Sequence, residues 1–111
     1  MKIAIIGSRN LRVENLNEII PPEATEIVSG GARGIDSCAA EYAREHGLIL
    51  TEFLPEYDKF GRGAPLKRNE TIVNYADVVF AFWDGASRGT KFVIDYAKRV
   101  GKECRIFMQV K

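Results

Sequence analysis

Short apolar runs alternate with amphipathic stretches along this chain, and that alternation restricts its fold more than any other feature. The runs predict five strands, at residues 2–7, 25–28, 48–53, 77–83 and 104–110. Several are apolar almost throughout, as is typical of strands that helices cover on both faces. Such alternation builds right-handed βαβ units. We therefore predict an α/β fold, a Rossmann-like three-layer sandwich with a five-stranded, mainly parallel sheet and about four helices.

Apolar residues at helical spacing locate the helices between these strands. The four stripes are Val13, Leu16 and Ile20; Ile35, Cys38, Ala39, Tyr42 and Ala43; Asn69, Ile72, Val73 and Ala76; and Phe92, Val93, Tyr96, Ala97 and Val100. No repeat, linker or low-complexity tract interrupts the pattern. A length of 111 residues is ordinary for one domain, so residues 1–111 are expected to form a single domain.

Composition excludes several classes of protein. Hydrophobic residues make up 46% of the chain and charged residues 28%, which is typical of a folded globular protein. No apolar run approaches the about 20 residues of a membrane span, and the run that ends at Gly7 is too short for a signal peptide. Cys38 and Cys104 do not make a disulfide framework. We expect a cytoplasmic protein without a membrane partner, and a net charge of +1 gives no general attraction to nucleic acid.

The glycines cluster at the ends of the predicted strands. Eight of the ten lie in strand-to-helix loops, at positions 7, 30, 31, 34, 61, 63, 85 and 89. In a parallel sheet these loops share the carboxyl edge, where open α/β folds bind ligands. The loop segments 7–10, 29–34, 55–69 and 84–90 hold seven basic residues against three acidic ones, which leaves +4. A glycine-rich, positive edge favours an anionic ligand.

The loop SGGARGID, which follows the second predicted strand, is the most informative of these. Gly30, Gly31 and Gly34 allow the backbone to approach a ligand closely and to present amide N–H groups. The next helix adds partial positive charge at its N-terminus, and Arg33 adds a bidentate donor for phosphate or carboxylate. The plainer alternative is a tight turn in which Arg33 pairs with Asp36. The pattern favours anion binding.

Two further loops leave their strands in the same manner. Gly7-Ser8-Arg9 follows the first strand, but it lacks the later glycines of GxGxxG, and no loop ends in the GK[ST] of a P-loop. Hydride transfer and nucleoside-triphosphate hydrolysis are therefore poorly supported. After the fourth strand and Asp84, Ser87 and Thr90 supply hydroxyl groups and Gly89 frees the backbone. Ser87 is also expected to cap the last helix.

Arg68 and Asn69 form a polar pair near the start of the third helix. Arg68 is a second candidate for clamping phosphate. Asn69 occupies the inward stripe of that helix, so its amide must find hydrogen-bond partners. It either holds neighbouring loops or contacts a ligand, and both roles stay open.

Other chemically distinctive residues carry weaker signals. Trp83 either packs in the core or stacks on a base. His46 at a helix C-terminus and Cys38 on an apolar helix face are expected to be structural. Residues 57–60 are predicted to be an aromatic and charged loop, either a lid or plain surface. No residues have metal-ligand spacing, and no cofactor is predicted.

Taken in order, these motifs resemble the SLOG superfamily, the Rossmann-like group that joins the DNA-processing protein of natural transformation with the LOG phosphoribohydrolases. The similarity is greatest to its small stand-alone members and covers residues 3–107. The motifs that carry it are Gly7-Ser8-Arg9, Gly30-Gly31-Ala32 with Gly34 and Asp36, Tyr57 with Gly61 and Ala64, Arg68-Asn69, and Gly89-Thr90. The resemblance implies a nucleotide or nucleotide-derived phosphorylated ligand, bound by a sensor or carrier.

Departures from the family pattern bear on activity. Val93 stands where the LOG enzymes carry a glutamate, and a valine can neither act as a base nor stabilise an oxocarbenium ion. A nucleoside-phosphate N-glycosidic hydrolase, with Asp36 or Asp84 as its acid–base group, is therefore an alternative rather than the first interpretation. Ala40 stands where the DNA-processing protein has a histidine, which weakens the further alternative of single-stranded DNA binding. The sequence leaves the base, the number of phosphates and the oligomeric state, a homo-oligomer included, open.

The position of Arg33 among three glycines generates a first prediction. Arg33→Ala should weaken nucleotide binding by roughly 10- to 150-fold, the loss expected for a charge-assisted hydrogen bond of about 1.5–3 kcal/mol. Stability without ligand should not fall, because a ligand-facing arginine among like charges contributes little to folding. Calorimetric affinity and the melting temperature of the variant test this. Normal affinity with a melting temperature several degrees lower would identify Arg33 as a structural residue.

Overall fold

All five strands of the sheet run parallel, in the order β3-β2-β1-β4-β5. A computed structural model describes residues 1–31 and 34–108. In these residues the strands are β1 (Lys2–Gly7), β2 (Glu26–Ser29), β3 (Ile49–Glu52), β4 (Val78–Trp83) and β5 (Cys104–Met108). The predicted α/β, Rossmann-like fold is therefore confirmed, and the sheet is parallel throughout. Arg33 and the predicted strand residues 109 and 110 lie outside the described residues.

Helices cover both faces of this sheet. The described residues form α1 (Leu16–Ile19), α2 (Ile35–Glu45), α3 (Tyr57–Phe60), α4 (Ala64–Tyr75) and α5 (Arg88–Arg99), with a 3₁₀ turn at Gly61–Gly63 that leads into α4. None of these helices combines the length and the hydropathy that a membrane span requires.

Alternate residues of the central strands β1, β2 and β4 build a core on either side of the sheet. On one face Ile5 and Phe80 pack with Leu16 of α1 and Ile35 of α2. On the opposite face a second set of strand side chains packs against α4 and α5. That set is Ala4, Ile6, Val28 and Val79, with Ile72, Val73, Val93 and Ala97 from the helices. Burial on both faces explains why these strands read as nearly continuous apolar runs.

The segment at 57–60 corrects one prediction. Instead of a loop, residues Tyr57–Phe60 form the short helix α3. The N–H groups of Lys59 and Phe60 both donate to the carbonyl of Glu56, at 3.1 and 3.0 Å. Gly61, with φ of 58°, ends this helix in the left-handed region. Local hydrogen bonds and a terminal glycine thus turn a four-residue segment, which has too few residues to show periodicity, into a helix.

Strand order fixes where a ligand can enter. The chain winds from β1 to β2 and β3 on one side, then crosses to β4 and β5 on the other. The loops that leave β1 and β4 therefore diverge to opposite faces and open a crevice at the carboxyl ends of these two neighbouring strands. This reversal is the topological switch point at which doubly wound folds bind ligands.

A hydrogen-bonded cluster ties the amino edge of the sheet to the end of α4. The Glu26 carboxylate accepts hydrogen bonds from the Tyr75 hydroxyl at 2.6 Å and from the Thr51 hydroxyl at 2.7 Å. The bond from Tyr75 is the main cause that lowers the pKa of Glu26 below 4.5. The same bond raises the pKa of Tyr75 above 10.0. The bond thus favours an ionised carboxylate and a protonated phenol.

This cluster predicts a pH-dependent contribution to stability. Tyr75→Phe should lower the free energy of unfolding between about pH 4.5 and 10, where Glu26 is ionised and the Tyr75 phenol is protonated in folded and unfolded chains alike. The stabilisation from Glu26 is lost as the pH falls below its folded pKa, and that from Tyr75 as the pH rises above its folded pKa. Urea unfolding of wild type and variant below, within and above this range measures the difference.

Tyr96→Phe is the matched control for this experiment. The Tyr96 hydroxyl donates to the neutral Asn74 side chain at 3.2 Å, so its removal should have an effect that is the same at pH 4 as at pH 7. If the difference in free energy of unfolding between wild type and Tyr75→Phe stayed the same at every pH tested, the effect of the variant would not come from the bond to Glu26.

Candidate functional site

A cavity of about 610 Å³ opens at the switch point, between the carboxyl ends of β1 and β4. Its size lies within the range of small-molecule sites, about 300–1,000 Å³. The loops after β1, β2 and β4 form its walls together with the first turns of α4. The lining residues are Ile6, Gly7, Ser8, Arg9, Asn10, Gly30, Asp36, Pro65, Leu66, Arg68, Asn69, Ile72, Asp84, Ala86, Ser87, Gly89 and Thr90.

Most of the site residues predicted from sequence meet in this cavity. Those in its wall are Gly7, Ser8, Arg9, Gly30, Asp36, Arg68, Asn69, Asp84, Ser87, Gly89 and Thr90. Gly31 and Gly34 are not among the lining residues, and Arg33 is not described. Sequence reasoning missed Asn10, whose position directly after Gly7-Ser8-Arg9 was a signal. It also missed the apolar wall of Ile6, Pro65, Leu66 and Ile72, because such residues look the same in a core.

Arg68 holds three segments together at the cavity wall. Its Nη1 donates to the backbone carbonyls of Gly30 at 2.7 Å and Phe53 at 3.2 Å, and its Nε donates to Asn69 Oδ1 at 2.8 Å. Burial lowers the pKa of Arg68, and the negative charge of Asp36 opposes that shift. A guanidinium nevertheless keeps its proton at neutral pH. Arg68 and Asn69 therefore fix the loops, and both also face the cavity.

The glycines at this edge allow protein segments to approach one another. A Cβ on Gly30 would lie 2.5 Å from Nη1 of Arg68. A Cβ on Gly34 would overlap the backbone of Arg9, and the φ of Gly34, +70°, itself favours glycine. At Gly89, by contrast, a Cβ would meet no atom within 4 Å. The sequence predicted close approach of a ligand at all of these loops, and Gly89 leaves space for it. Gly34 is needed because the Arg9 backbone lies against it, and glycine at position 30 leaves room for the Arg68 guanidinium.

The loop after β4 is shaped by one carboxylate. Asp84 Oδ1 accepts hydrogen bonds from the backbone N–H groups of Ala86 at 2.9 Å and Ser87 at 2.8 Å. These two bonds are the main causes that lower the pKa of Asp84, so it is ionised at neutral pH. Ser87 then caps α5 by accepting from the Thr90 N–H at 3.4 Å, as the sequence predicted. The indole N–H of Trp83 donates to the Ser87 carbonyl at 3.0 Å, which ties this side chain to the loop.

Opposite charges share the cavity. Arg9 and Arg68 supply two guanidinium groups, and Asp36 and Asp84 supply two carboxylates. Asp36 is only 8% exposed, and its charge acts on Arg68. Such a mixture suits a ligand that carries both an anion and hydrogen-bond donors. Among the described residues, no three histidine, cysteine or acidic side chains are grouped as metal ligands.

The other residues singled out from sequence lie away from this cavity. Cys38 of α2 is buried, and its sulfur accepts a hydrogen bond from the Val13 N–H at 3.5 Å. His46 follows α2 and packs on Tyr42, with ring centroids 4.1 Å apart. Phe60 of α3 lines a separate cavity of about 170 Å³ on the β3 side of α4. Residues 57–60 therefore form no part of the wall of the larger cavity.

Comparison with known proteins adds no relative: the chain matches no family model, no curated protein and no solved structure.

The packing of Gly30 against Arg68 predicts a difference between two glycines of the same site. Gly30→Ala should lower the free energy of unfolding by about 1–3 kcal/mol, because the new methyl group displaces a guanidinium that makes three hydrogen bonds. Gly89→Ala should leave stability unchanged or raise it by up to about 1 kcal/mol, because alanine in a helix has fewer unfolded conformations to lose. Urea unfolding of both variants measures these values. Equal effects would contradict the proposed role of Gly30.

Proposed function

We propose that this protein binds a nucleotide or a nucleotide-derived phosphorylated ligand at the carboxyl edge of its sheet, as a sensor or carrier. The observation that carries the proposal is the pair of guanidinium groups that face the same cavity. Arg9 is close enough to Arg68 for its charge to disfavour the protonated form of Arg68. Two like charges held together at a ligand-sized cavity are stabilised when an anion lies between them.

Backbone polarity at the same edge supports an anionic ligand. The N-termini of α2 and α5 both lie at the carboxyl edge of the sheet, since each helix follows a strand that ends at this edge. Asp36 of α2 and Gly89 and Thr90 of α5 line the cavity within the first turns of these helices. Helix N-termini carry partial positive charge and N–H groups that lack helical partners, which favours phosphate.

The order of the motifs is a second support for this proposal. Gly7-Ser8-Arg9, Asp36, Arg68-Asn69 and Gly89-Thr90 carry the resemblance to the SLOG superfamily, and all of them line the one cavity. Membership of that superfamily is part of what we propose. In that reading, the phosphate lies near Arg9 and Arg68, and Asn69 organises the wall behind it.

Binding is proposed rather than turnover because of the residues available. Val93, at the position of the LOG glutamate, is fully buried in the core between β4, α4 and α5, and does not line the cavity. Asp84 is ionised and shapes its own loop, so it has no proton to donate to a leaving group at neutral pH. Asp36 and Asp84 also oppose a polyanion, which places single-stranded DNA binding behind a small ligand.

A thermal-shift screen with nucleoside mono- and diphosphates tests the proposal. A ligand present at 100 times its dissociation constant adds about 2.7 kcal/mol of stability. For a domain of this size, that raises the melting temperature by several degrees, on the order of 10 °C. Inorganic phosphate and unphosphorylated nucleosides are included to separate the contribution of the phosphate group to binding from that of the nucleoside. No shift with any phosphorylated compound would overturn the proposal.

Arg9 offers the sharper variant for affinity measurements. Arg9→Ala should weaken binding of the nucleotide found in the screen by about 10- to 100-fold, the loss expected for a charge-assisted contact to phosphate. Stability without ligand should stay the same or rise slightly, because the side chain is exposed and repels Arg68. Isothermal calorimetry measures the affinity, and urea unfolding measures the stability without ligand.

Arg12→Ala is the matched control, three residues further along the chain. Arg12 makes a surface ion pair with Glu41 at 3.6 Å and does not line the 610 Å³ cavity. Its removal eliminates the same charge from the molecule but should change affinity less than twofold at moderate salt. If both variants lost affinity equally, general electrostatic attraction rather than a phosphate site would explain binding.

A further inference from the structure

Ser8 carries a buried hydroxyl group without a hydrogen-bond partner. The residue is 3% exposed, and its Oγ makes no hydrogen bond of normal geometry to any described residue. Within the described ranges, no other buried side-chain nitrogen or oxygen lacks a partner. An unpartnered buried polar group costs stability, so its presence calls for an explanation. Because Ser8 lines the 610 Å³ cavity, a ligand is the partner that its position suggests.

Asp84 lies beside this hydroxyl. The Ser8 side chain is close enough to help lower the pKa of the Asp84 carboxyl, after the larger effects of the Ala86 and Ser87 N–H groups. Those two N–H groups donate to Oδ1. The second oxygen, Oδ2, therefore remains as the atom of Asp84 with capacity for a ligand. Asp84 lines the same cavity as Ser8.

The chemistry of this pair does not suit phosphate. A carboxylate only accepts hydrogen bonds, and a serine hydroxyl without a protein partner offers two acceptor lone pairs beside its proton. Ser8 and Asp84 together therefore present two neighbouring acceptors and one negative charge. A phosphate at neutral pH is itself an acceptor and an anion, so the pair would repel it. Two adjacent donors on a neutral part of the ligand would satisfy the pair.

We propose that Ser8 and Asp84 bind the vicinal hydroxyl groups of the ligand's sugar, so that the cavity selects ribonucleotides over deoxyribonucleotides. This inference rests on the proposed function, since Arg9 and Arg68 hold the phosphate of the same ligand. It assigns Ser8 and Asp84, two of the site residues predicted from sequence, to the sugar rather than to the phosphate. The 2′- and 3′-hydroxyl groups are the two adjacent donors, and Ser8 directly precedes Arg9 in the chain.

The experiment compares sugars on a constant base and phosphate. AMP, GMP, CMP and UMP are first ranked by calorimetry, and the tightest is measured beside its 2′-deoxy and 3′-deoxy forms. Each deoxy form should bind wild type about 10- to 100-fold more weakly, because a buried acceptor is left unpaired. Ser8→Ala should lower the affinity for the ribonucleotide by a similar factor and leave the affinity for at least one deoxy form unchanged. The ratio of the ribonucleotide affinity to that deoxynucleotide affinity should therefore fall toward one.

Two further variants control for folding and for position. Asp84→Asn keeps an Oδ1 acceptor for the Ala86 and Ser87 N–H groups but replaces the other oxygen by a donor, so it should abolish the ribose preference as well. Thr71→Ala removes a hydroxyl that bonds the Lys67 carbonyl of its own helix and does not line the cavity. Thr71→Ala should leave the ratio of ribonucleotide to deoxynucleotide affinity unchanged. Ser8→Ala should melt no lower than wild type, because its hydroxyl has no partner to lose.

The outcomes separate this inference from the proposed function. Nucleotide binding with equal affinity for ribo and deoxy forms, or an unchanged ratio in Ser8→Ala, overturns sugar recognition and leaves phosphate binding intact. A melting temperature of Ser8→Ala several degrees lower also overturns it, because the hydroxyl would then be a structural partner of Asp84. If no nucleoside mono- or diphosphate binds wild type, both proposals are overturned.

Discussion

The common direction of the five strands is the constraint on which the site depends. Because every strand is parallel, each strand-to-helix loop must begin at the same edge of the sheet. Because the winding reverses after β3, the loops after β1 and β4 leave in opposite directions and a crevice remains between them. Polar residues far apart in sequence, such as Ser8, Arg68 and Asp84, thereby meet in one cavity. The apolar cores on the two faces stabilise this arrangement, and Ile6 and Ile72 of one core also form part of the cavity wall.

Packing at that edge explains the glycine pattern better than a ligand alone does. Three segments converge on the Arg68 guanidinium, which donates to two carbonyls and one amide oxygen. A side chain at Gly30 would occupy the space of Nη1, and one at Gly34 would overlap the backbone of Arg9. Gly34 can lie this close to the Arg9 backbone only because it is glycine, and glycine at position 30 leaves room for the Arg68 guanidinium. Glycine enrichment at the carboxyl edge thus reflects the close packing of these loops as well as access for a ligand.

The strands and long helices were predictable because each leaves a local pattern. β1 begins at Lys2 and β4 at Val78, within one residue of prediction, since apolar runs bounded by polar residues mark buried strands. The short helix α3 was not predictable, because four residues are too few to show a period. Nor were the partners of the site residues: Arg68 meets the carbonyl of Gly30 across 38 positions of sequence, a distance over which no pattern operates. The sequence therefore predicts that the site lies at the carboxyl edge of the sheet, but not which atoms contact one another there.

Preorganisation of the cavity has a consequence for how a ligand would bind. Arg68 has lost its conformational freedom on folding, because hydrogen bonds to Gly30, Phe53 and Asn69 already fix its guanidinium. Asp84 is fixed in the same way by two backbone N–H groups. A ligand would therefore not bear the entropic cost of ordering either side chain, which for long side chains is about 0.5–1.5 kcal/mol each. Lysine at position 68 could not substitute, because a single ammonium lacks the planar fork that reaches both carbonyls and the amide oxygen. The hydrogen bonds that stabilise the folded loops thus also hold Arg68 and Asp84 in position for a ligand.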